Sequence, residues 1–291
     1  MPTAPANGIE LYYEEAGDPA GPPLLLIMGL ASQHVSWPPE LIQGFADRGF
    51  RVISYDNRDI GLSTHLDDRI DVAALLAARS AGEAVDVPYR LPDMADDAAG
   101  LLDHLGIDAA HVMGVSMGGM IAQALAIAHP DRVLTLTSIM STTGDPDVGA
   151  PTGEAMQMLL RPPYTSLEEA MDGAVAVSHV IGSPGLIDED RVRQRAALAW
   201  ERNYDPSGVA RQLAGILASD PRSPALAQID VPTLVIHGTA DTLVNPSGGE
   251  RTAEVIPDAK LMLIEGMGHD LPLAHCPTIV DAVSTHALAH A

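Results

Sequence analysis

Apolar residues follow two rhythms along this chain. IELYYEEAG (9–17) alternates apolar with polar positions as a half-buried strand does, whereas PLLLIMG (23–29) and FRVISYD (50–56) are short apolar runs closed by Gly or Asp, the pattern of strands covered on both faces. Between those runs, PPELIQGFADRG (38–49) has the length of a helix and stops at Gly49. Further along, the pattern predicts a helix over about 92–105, a strand over HVMGV (111–115), a helix from Ser116 to about His129 and a strand over RVLTLTSIM (132–140). Strands alternating with helices imply right-handed crossovers, so the expected fold is α/β, with a mostly parallel central sheet and helices on both faces.

The alternation stops at about Gly144 and does not return before Pro224; GEAMQMLL, SLEEAMDGAVAVSHVI and DEDRVRQRAALAWERNY read as helices, with no convincing strand among them. It resumes with VPTLVIHG (231–238) and KLMLIEG (260–266) and ends in an apolar helix from about residue 272. The expected organisation is one sheet domain, residues 1–143 and 225–291, interrupted by a helical cap over 144–224. No solenoid-length repeat or low-complexity tract is present.

HVMGVSMGGMIAQ (111–123) carries the chemistry. A strand feeding Gly-x-Ser-x-Gly and then a helix holds the serine on a sharp turn, its hydroxyl pointing outward, while Gly114 and Gly118 let strand and helix approach without Cβ clashes. The bland alternative is an ordinary helix cap at Ser116. A serine nucleophile needs a base to take its proton and an acid to orient that base. In this arrangement the acid and then the histidine follow the serine, each in a loop after a late strand. Asp241 in VIHGTADTLVNP and His269 in LIEGMGHDLP stand in those places. Asp270 and Glu265 are the rival acids; a residue adjoining the histidine seldom reaches back to orient its ring, so Asp241 is preferred. Of the 11 histidines, His111 and His237 lie within or at the ends of strands and read as packing or loop residues. The backbone N–H groups of Met117, after the nucleophile, and Leu30, after the early strand, are the candidate oxyanion donors.

Composition trims the field of partners. Thirty-nine acidic residues against 16 basic ones give a net charge of −23, which repels phosphate backbones and anionic membranes, so neither nucleic acid nor a membrane surface is expected as a partner. No apolar run approaches the roughly 20 residues of a membrane span. The first residues, MPTAPANGIE, lack a charged start and an apolar signal core, from which a cytoplasmic location is expected. Cys276 is the sole cysteine, so no intrachain disulfide and no cysteine-based metal cluster can form, and the proposed chemistry calls for no metal or cofactor.

With these motifs in place, the chain resembles the α/β-hydrolase superfamily in its serine esterase-like branch, over residues 9–143 and 225–289. LLLIMG, YDNRDIGLST and GVSMGGMIAQ are most similar to the subgroup containing aclacinomycin methylesterase. Two departures stand out: Met28-Gly29-Leu30 replaces the family's usual His-Gly, and Asp59 stands where glycine is commoner. The resemblance implies an α/β-hydrolase fold whose cap is the helical insertion. The serine nucleophile sets the chain apart from haloalkane dehalogenases and epoxide hydrolases, which place Asp at the turn.

The expected function is hydrolysis of small to medium, largely apolar carboxylic esters through an acyl-enzyme, the partner being a small-molecule ester. Met28 and Met140 near strand ends, with Met156, Leu159, Tyr164 and Trp200 in the cap, are candidate pocket residues, though each could equally be ordinary packing. Two alternatives stay open: C–C bond hydrolysis or perhydrolase chemistry with the same three residues, and a non-catalytic ligand-binding protein on this fold. Oligomeric state leaves no mark on the sequence.

Overall fold

The computed structural model describes residues 2–290, apart from 82 and 84. Its strands are β1 (Thr3–Ala6), β2 (Ile9–Gly17), β3 (Pro23–Ile27), β4 (Arg51–Tyr55), β5 (Ala110–Val115), β6 (Val133–Ile139), β7 (Thr233–Gly238) and β8 (Lys260–Ile264). They form a single sheet in the order β1-β2-β4-β3-β5-β6-β7-β8, antiparallel where β2 meets β1 and β4 and parallel elsewhere. Helices α1 (Pro39–Ala46), α2 (Val72–Ser80), α3 (Leu91–His104) and α4 (Met117–Ala128) fall between β3 and β6. Between β6 and β7 come α5 (Gly153–Leu159), α6 (Leu167–Ile181), α7 (Glu189–Arg202), α8 (Pro206–Ala218) and the short α9 (Ser223–Leu226). α10 (Ser247–Val255) joins β7 to β8, and α11 (Cys276–Leu288) follows β8.

Side chains of a strand alternate between faces, and the apolar runs feed two separate cores. Leu25 and Ile27 of β3, Ile53 and Tyr55 of β4 and Val112 of β5 pack with α3 and α4 on one side. Leu24, Leu26, Val52, Met113 and Val115 pack on the other with Trp37, Leu41, Phe45, Ile279 and Val280 of α1, α11 and their approaches. Burying each such side chain contributes roughly 1.5–3 kcal/mol. Strands covered on both faces are therefore apolar at most positions, as β3 is throughout.

The helices expected in the insertion are present as α5, α6 and α7, but α8 was not anticipated. Its capping is conventional, with Pro206 in the first turn and the Asp205 side chain accepting from Ser207 N–H. Gly208 and Gly215, with buried Arg211 and Gln212, interrupt the apolar stripe that would have announced it. α2, α10 and the edge strand β1 were also unforeseen; Pro5 sits in β1, which pairs on one side only, where a missing N–H costs nothing.

The two ends of the helical segment between β6 and β7 meet just after β6. Arg222 donates through its N–H to Thr143 O (2.9 Å), through Nη2 to Thr142 O (2.7 Å) and through Nε to Gln123 Oε1 (3.0 Å). Burial of that guanidinium brings its pKa down to about 10 despite the nearby Asp145. Among the described residues, no helix is long and apolar enough to cross a membrane.

Candidate active site

β5 runs into Ser116, whose backbone has φ 54° and ψ −121°, and α4 begins at the next residue. A non-glycine residue there costs on the order of 1–3 kcal/mol, so its surroundings must hold it. Ser116 N–H donates to Ile139 O (2.9 Å) and Ser116 O accepts from Ser141 Oγ (2.8 Å). The flanking glycines are obligatory: a Cβ on Gly114 would lie 2.0 Å from Gly118 O, and one on Gly118 would lie 2.0 Å from Ile27 O. The strand, the helix start and the end of β3 are thus in backbone contact. Ala31 (φ 60°) and Met140 (φ 43°), just beyond neighbouring strands, are strained in the same sense.

His269 Nε2 lies 2.9 Å from Ser116 Oγ, and its Nδ1 lies 2.7 Å from Asp241 Oδ2. Asp241 Oδ1 accepts from the N–H groups of Leu243 and Val244, both at 2.9 Å, leaving Oδ2 to face the ring. Burial alone would push this carboxyl up. Electrostatic attraction to the His269 ring and hydrogen bonds from His237 and His269 outweigh burial and hold it at about 2, so it is ionised at neutral pH. A carboxylate only accepts, so the His269 Nδ1 carries the proton and Nε2 presents its lone pair to the serine hydroxyl.

His237 also reaches this carboxylate, a contact its strand position did not announce. Its Nε2 is 2.8 Å from Val244 O and 3.3 Å from Asp241 Oδ2, so that nitrogen bears a proton shared between two acceptors. The rival acids go elsewhere. Asp270 Oδ1 accepts from Ser183 N–H (3.0 Å) and Ser183 Oγ (2.5 Å), and Glu265 is exposed.

The loop after β3 closes over the serine: a Cβ on Gly29 would lie 3.1 Å from that of Ser116. Among the described residues, the N–H groups of Leu30 and Met117 donate to no protein acceptor. Ala31 N–H donates to Gln212 Oε1 (3.1 Å), and Asn57 Nδ2 donates to Met28 O (2.9 Å), so the loop is braced from α8 and from the segment after β4. That segment is YDNRDIGLST. Asp56 accepts from His34 N–H (2.7 Å), Leu62 N–H (3.0 Å) and Arg202 Nη2 (2.6 Å). Asp59 has φ 67°, a conformation in which glycine is commoner, and its carboxylate accepts from Leu66 N–H (2.7 Å) and Arg211 Nη2 (2.8 Å). Those two bonds are what an aspartate gains over a glycine there. Gln33, Gln212 and Arg202 carried no pattern of their own in the sequence.

The candidate pocket residues are scattered. Met28 and Met140 are buried in the core cluster with Trp37, Met113 and Met267, and the Met117 side chain is buried in the opposite one. In the helical insertion, Met156 is exposed and Leu159 half-buried on α5. Trp200 stacks on Tyr204 at 4.4 Å between ring centroids, and Tyr164 lies 6.4 Å beyond Tyr204 with the Arg161 guanidinium 3.6 Å over its own ring. Among the described residues, no group of three or more His, Cys, Asp or Glu could hold a metal ion.

Comparison with known proteins extends the same picture. Rhodomycin D methylesterase DauP of Streptomyces sp. strain C5 is 33% identical over 303 aligned positions, covering 97% of this chain and 96% of that protein. Rhodomycin D methylesterase DnrP of Streptomyces peucetius is 31% identical, covering 99% of both. The enol-lactonase from Burkholderia xenovorans LB400 superposes with a TM-score of 0.75 at 24% identity, over 99% of this chain and 100% of that one, a likeness of fold. A family model described as alpha/beta hydrolase fold matches residues 22–171. With the sheet order, the strand–turn–helix at Ser116 and these matches in agreement, the chain belongs to the alpha/beta hydrolase fold family.

Proposed function

We propose that this protein is a carboxylic-ester hydrolase acting through an acyl-enzyme, with Ser116 as nucleophile, His269 as general base and acid, and Asp241 as the group that orients the ring. The carrying observation is the unbroken hydrogen-bond chain from Ser116 Oγ through His269 to Asp241. Ser116 Oγ attacks the ester carbonyl carbon as its proton passes to His269 Nε2. The oxyanion takes the free N–H groups of Leu30 and Met117, each such donor contributing about 2.7–4 kcal/mol to the transition state. Collapse expels the alcohol, which leaves with the proton from His269. A water molecule then gives its proton to His269 and attacks the acyl carbon, and as the acid departs His269 returns that proton to Ser116 Oγ.

Residues 144–224 serve as the cap in this reading, a role supported by the closure of both their ends at Arg222 and by the bonds of Ile181 and Ser183, at and just beyond the end of α6, to the His269 loop. The full-length likeness to two proteins named methylesterases supports a small-molecule methyl ester as one substrate class. Hydrolysis of p-nitrophenyl acetate through octanoate by wild type and Ser116→Ala tests the assignment. The variant should lose measurable turnover, and a fluorophosphonate probe should label wild type at Ser116 alone. Undiminished hydrolysis by Ser116→Ala would overturn the mechanism.

A further inference from the structure

His269 stands in the stretch 265–272, between β8 and a short 3-10 helix beginning at Leu273, where no regular backbone pairing holds it. Three consecutive residues of that stretch instead bond to the last residue of α6 and to Ser183 just beyond it. Gly268 N–H donates to Ser183 Oγ (2.9 Å), and His269 N–H donates to Ile181 O (2.6 Å). Asp270 Oδ1 accepts from both the N–H and the hydroxyl of Ser183. The fully buried Ser183 Oγ therefore donates to one neighbour of the histidine and accepts from the other, using its hydrogen on Asp270 and a lone pair on Gly268.

The approach is too close for side chains to intervene. A Cβ on Gly268 would lie 2.4 Å from Gly182 C, and one on Gly182 would lie 3.2 Å from Asp270 Oδ2. The loop carrying Asp241 is tied to the same place, since Thr242 Oγ1 donates to Val180 O (2.8 Å). Helix electrostatics does not account for Asp270. The carboxylate lies at the carboxyl end of α6, where the helix dipole disfavours a negative charge; the bonds it accepts from Ser183 and its attraction to the Arg195 guanidinium offset that.

We propose that Ser183 and Asp270 form a positioning clamp that holds His269 in register with Ser116, so that the end of α6 completes the catalytic geometry. The clamp rests on the assignment of His269 as the base. Neither residue touches the reacting atoms. Their loss lets the imidazole drift against a serine fixed by its own turn, and misplacement by about 1 Å costs on the order of 100-fold in rate.

The test compares Ser183→Ala, Asp270→Ala and Asp270→Asn in the full-length protein, with His269→Ala alongside, using p-nitrophenyl butyrate and the rate of fluorophosphonate labelling. Asp270→Ala and Ser183→Ala should lower kcat about 10- to 100-fold and slow labelling in parallel, with KM changed less than about threefold. Asp270→Asn keeps an acceptor oxygen for both Ser183 donors and should restore kcat to within about threefold of wild type. Thermal melts and circular dichroism confirm that the variants are folded at the assay temperature. Wild-type kcat in folded Asp270→Ala, with only a lowered Tm, would reduce the clamp to a structural contact and overturn it. Equal damage in Asp270→Asn and Asp270→Ala would show that the charge matters and not the hydrogen bonds, and would also overturn it. Should His269→Ala remain active, the assignment of the base falls first and the clamp with it.

Discussion

Asp241→Asn probes the orientation of His269 with the least disturbance of shape. Asp241 Oδ1 faces two backbone donors, Leu243 and Val244 N–H, both at 2.9 Å, while Oδ2 faces the imidazole at 2.7 Å. An asparagine must put its oxygen on one side and its NH2 on the other. Placing NH2 toward the two N–H groups would leave both without an acceptor, at about 1–3 kcal/mol each. The amide oxygen therefore takes the Oδ1 position and the NH2 meets His269 Nδ1. That nitrogen must then accept, the ring proton moves to Nε2, and Nε2–H points at the Ser116 hydroxyl with no lone pair to receive its proton. The expected loss in kcat is on the order of 10⁴-fold, about 5.5 kcal/mol, with KM within about threefold because Asp241 is buried behind the histidine. Steady-state hydrolysis of p-nitrophenyl butyrate reads the first quantity, and the rate of fluorophosphonate labelling should fall in step. A folded Asp241→Asn enzyme within tenfold of wild-type kcat would refute the reasoning, because the wrong tautomer cannot serve as the base.

Gly118→Ala places a methyl group 2.0 Å from the backbone oxygen of Ile27, so α4 and β3 must separate by about 1 Å; kcat should drop at least about 100-fold and Tm should fall, and a variant matching wild type in both would remove the steric account of the turn. His111 supplies a test in pH. Burial, with lesser contributions from His286 and His290, lowers its pKa to about 4 from the usual 6.5. The unfolded chain therefore takes up this proton first as pH falls, and the stability owed to neutral His111 is intact above about 6.5 and lost toward 4, by up to about 3 kcal/mol. His111→Asn should flatten the urea-midpoint profile over that window, and parallel profiles would contradict the linkage.

What the chain alone determined is local or periodic. Strands buried on both faces are apolar at most positions, so β3 to β7 stand out as runs broken only by small polar residues, His111, His237 and Arg51 at the start of β4. Gly114 and Gly118 are required because a Cβ on either would lie 2.0 Å from a backbone oxygen. Chain order then pointed to an acid and a histidine in the last two loops. Elements whose signal is mixed stayed hidden: α8 carries buried Arg211 and Gln212 on its inner face, and apart from the local Asp205 their partners are Asp59, Asp68 O, Arg58 O and Ala31 N–H, more than 140 residues away. The orientation of the preferred carboxylate was likewise a tertiary matter. Sequence setting already favoured Asp241 over Asp270, which adjoins the histidine, and over Glu265; what the tertiary structure supplies is the loop that turns a carboxylate oxygen toward a ring 28 residues distant. The contacts of His237 with Asp241 and of Ser183 with the His269 loop have the same character. Hydrogen bonds depend on direction and on tenths of an ångström, and those are set when separate loops are brought to one end of the sheet, after every local preference has been spent.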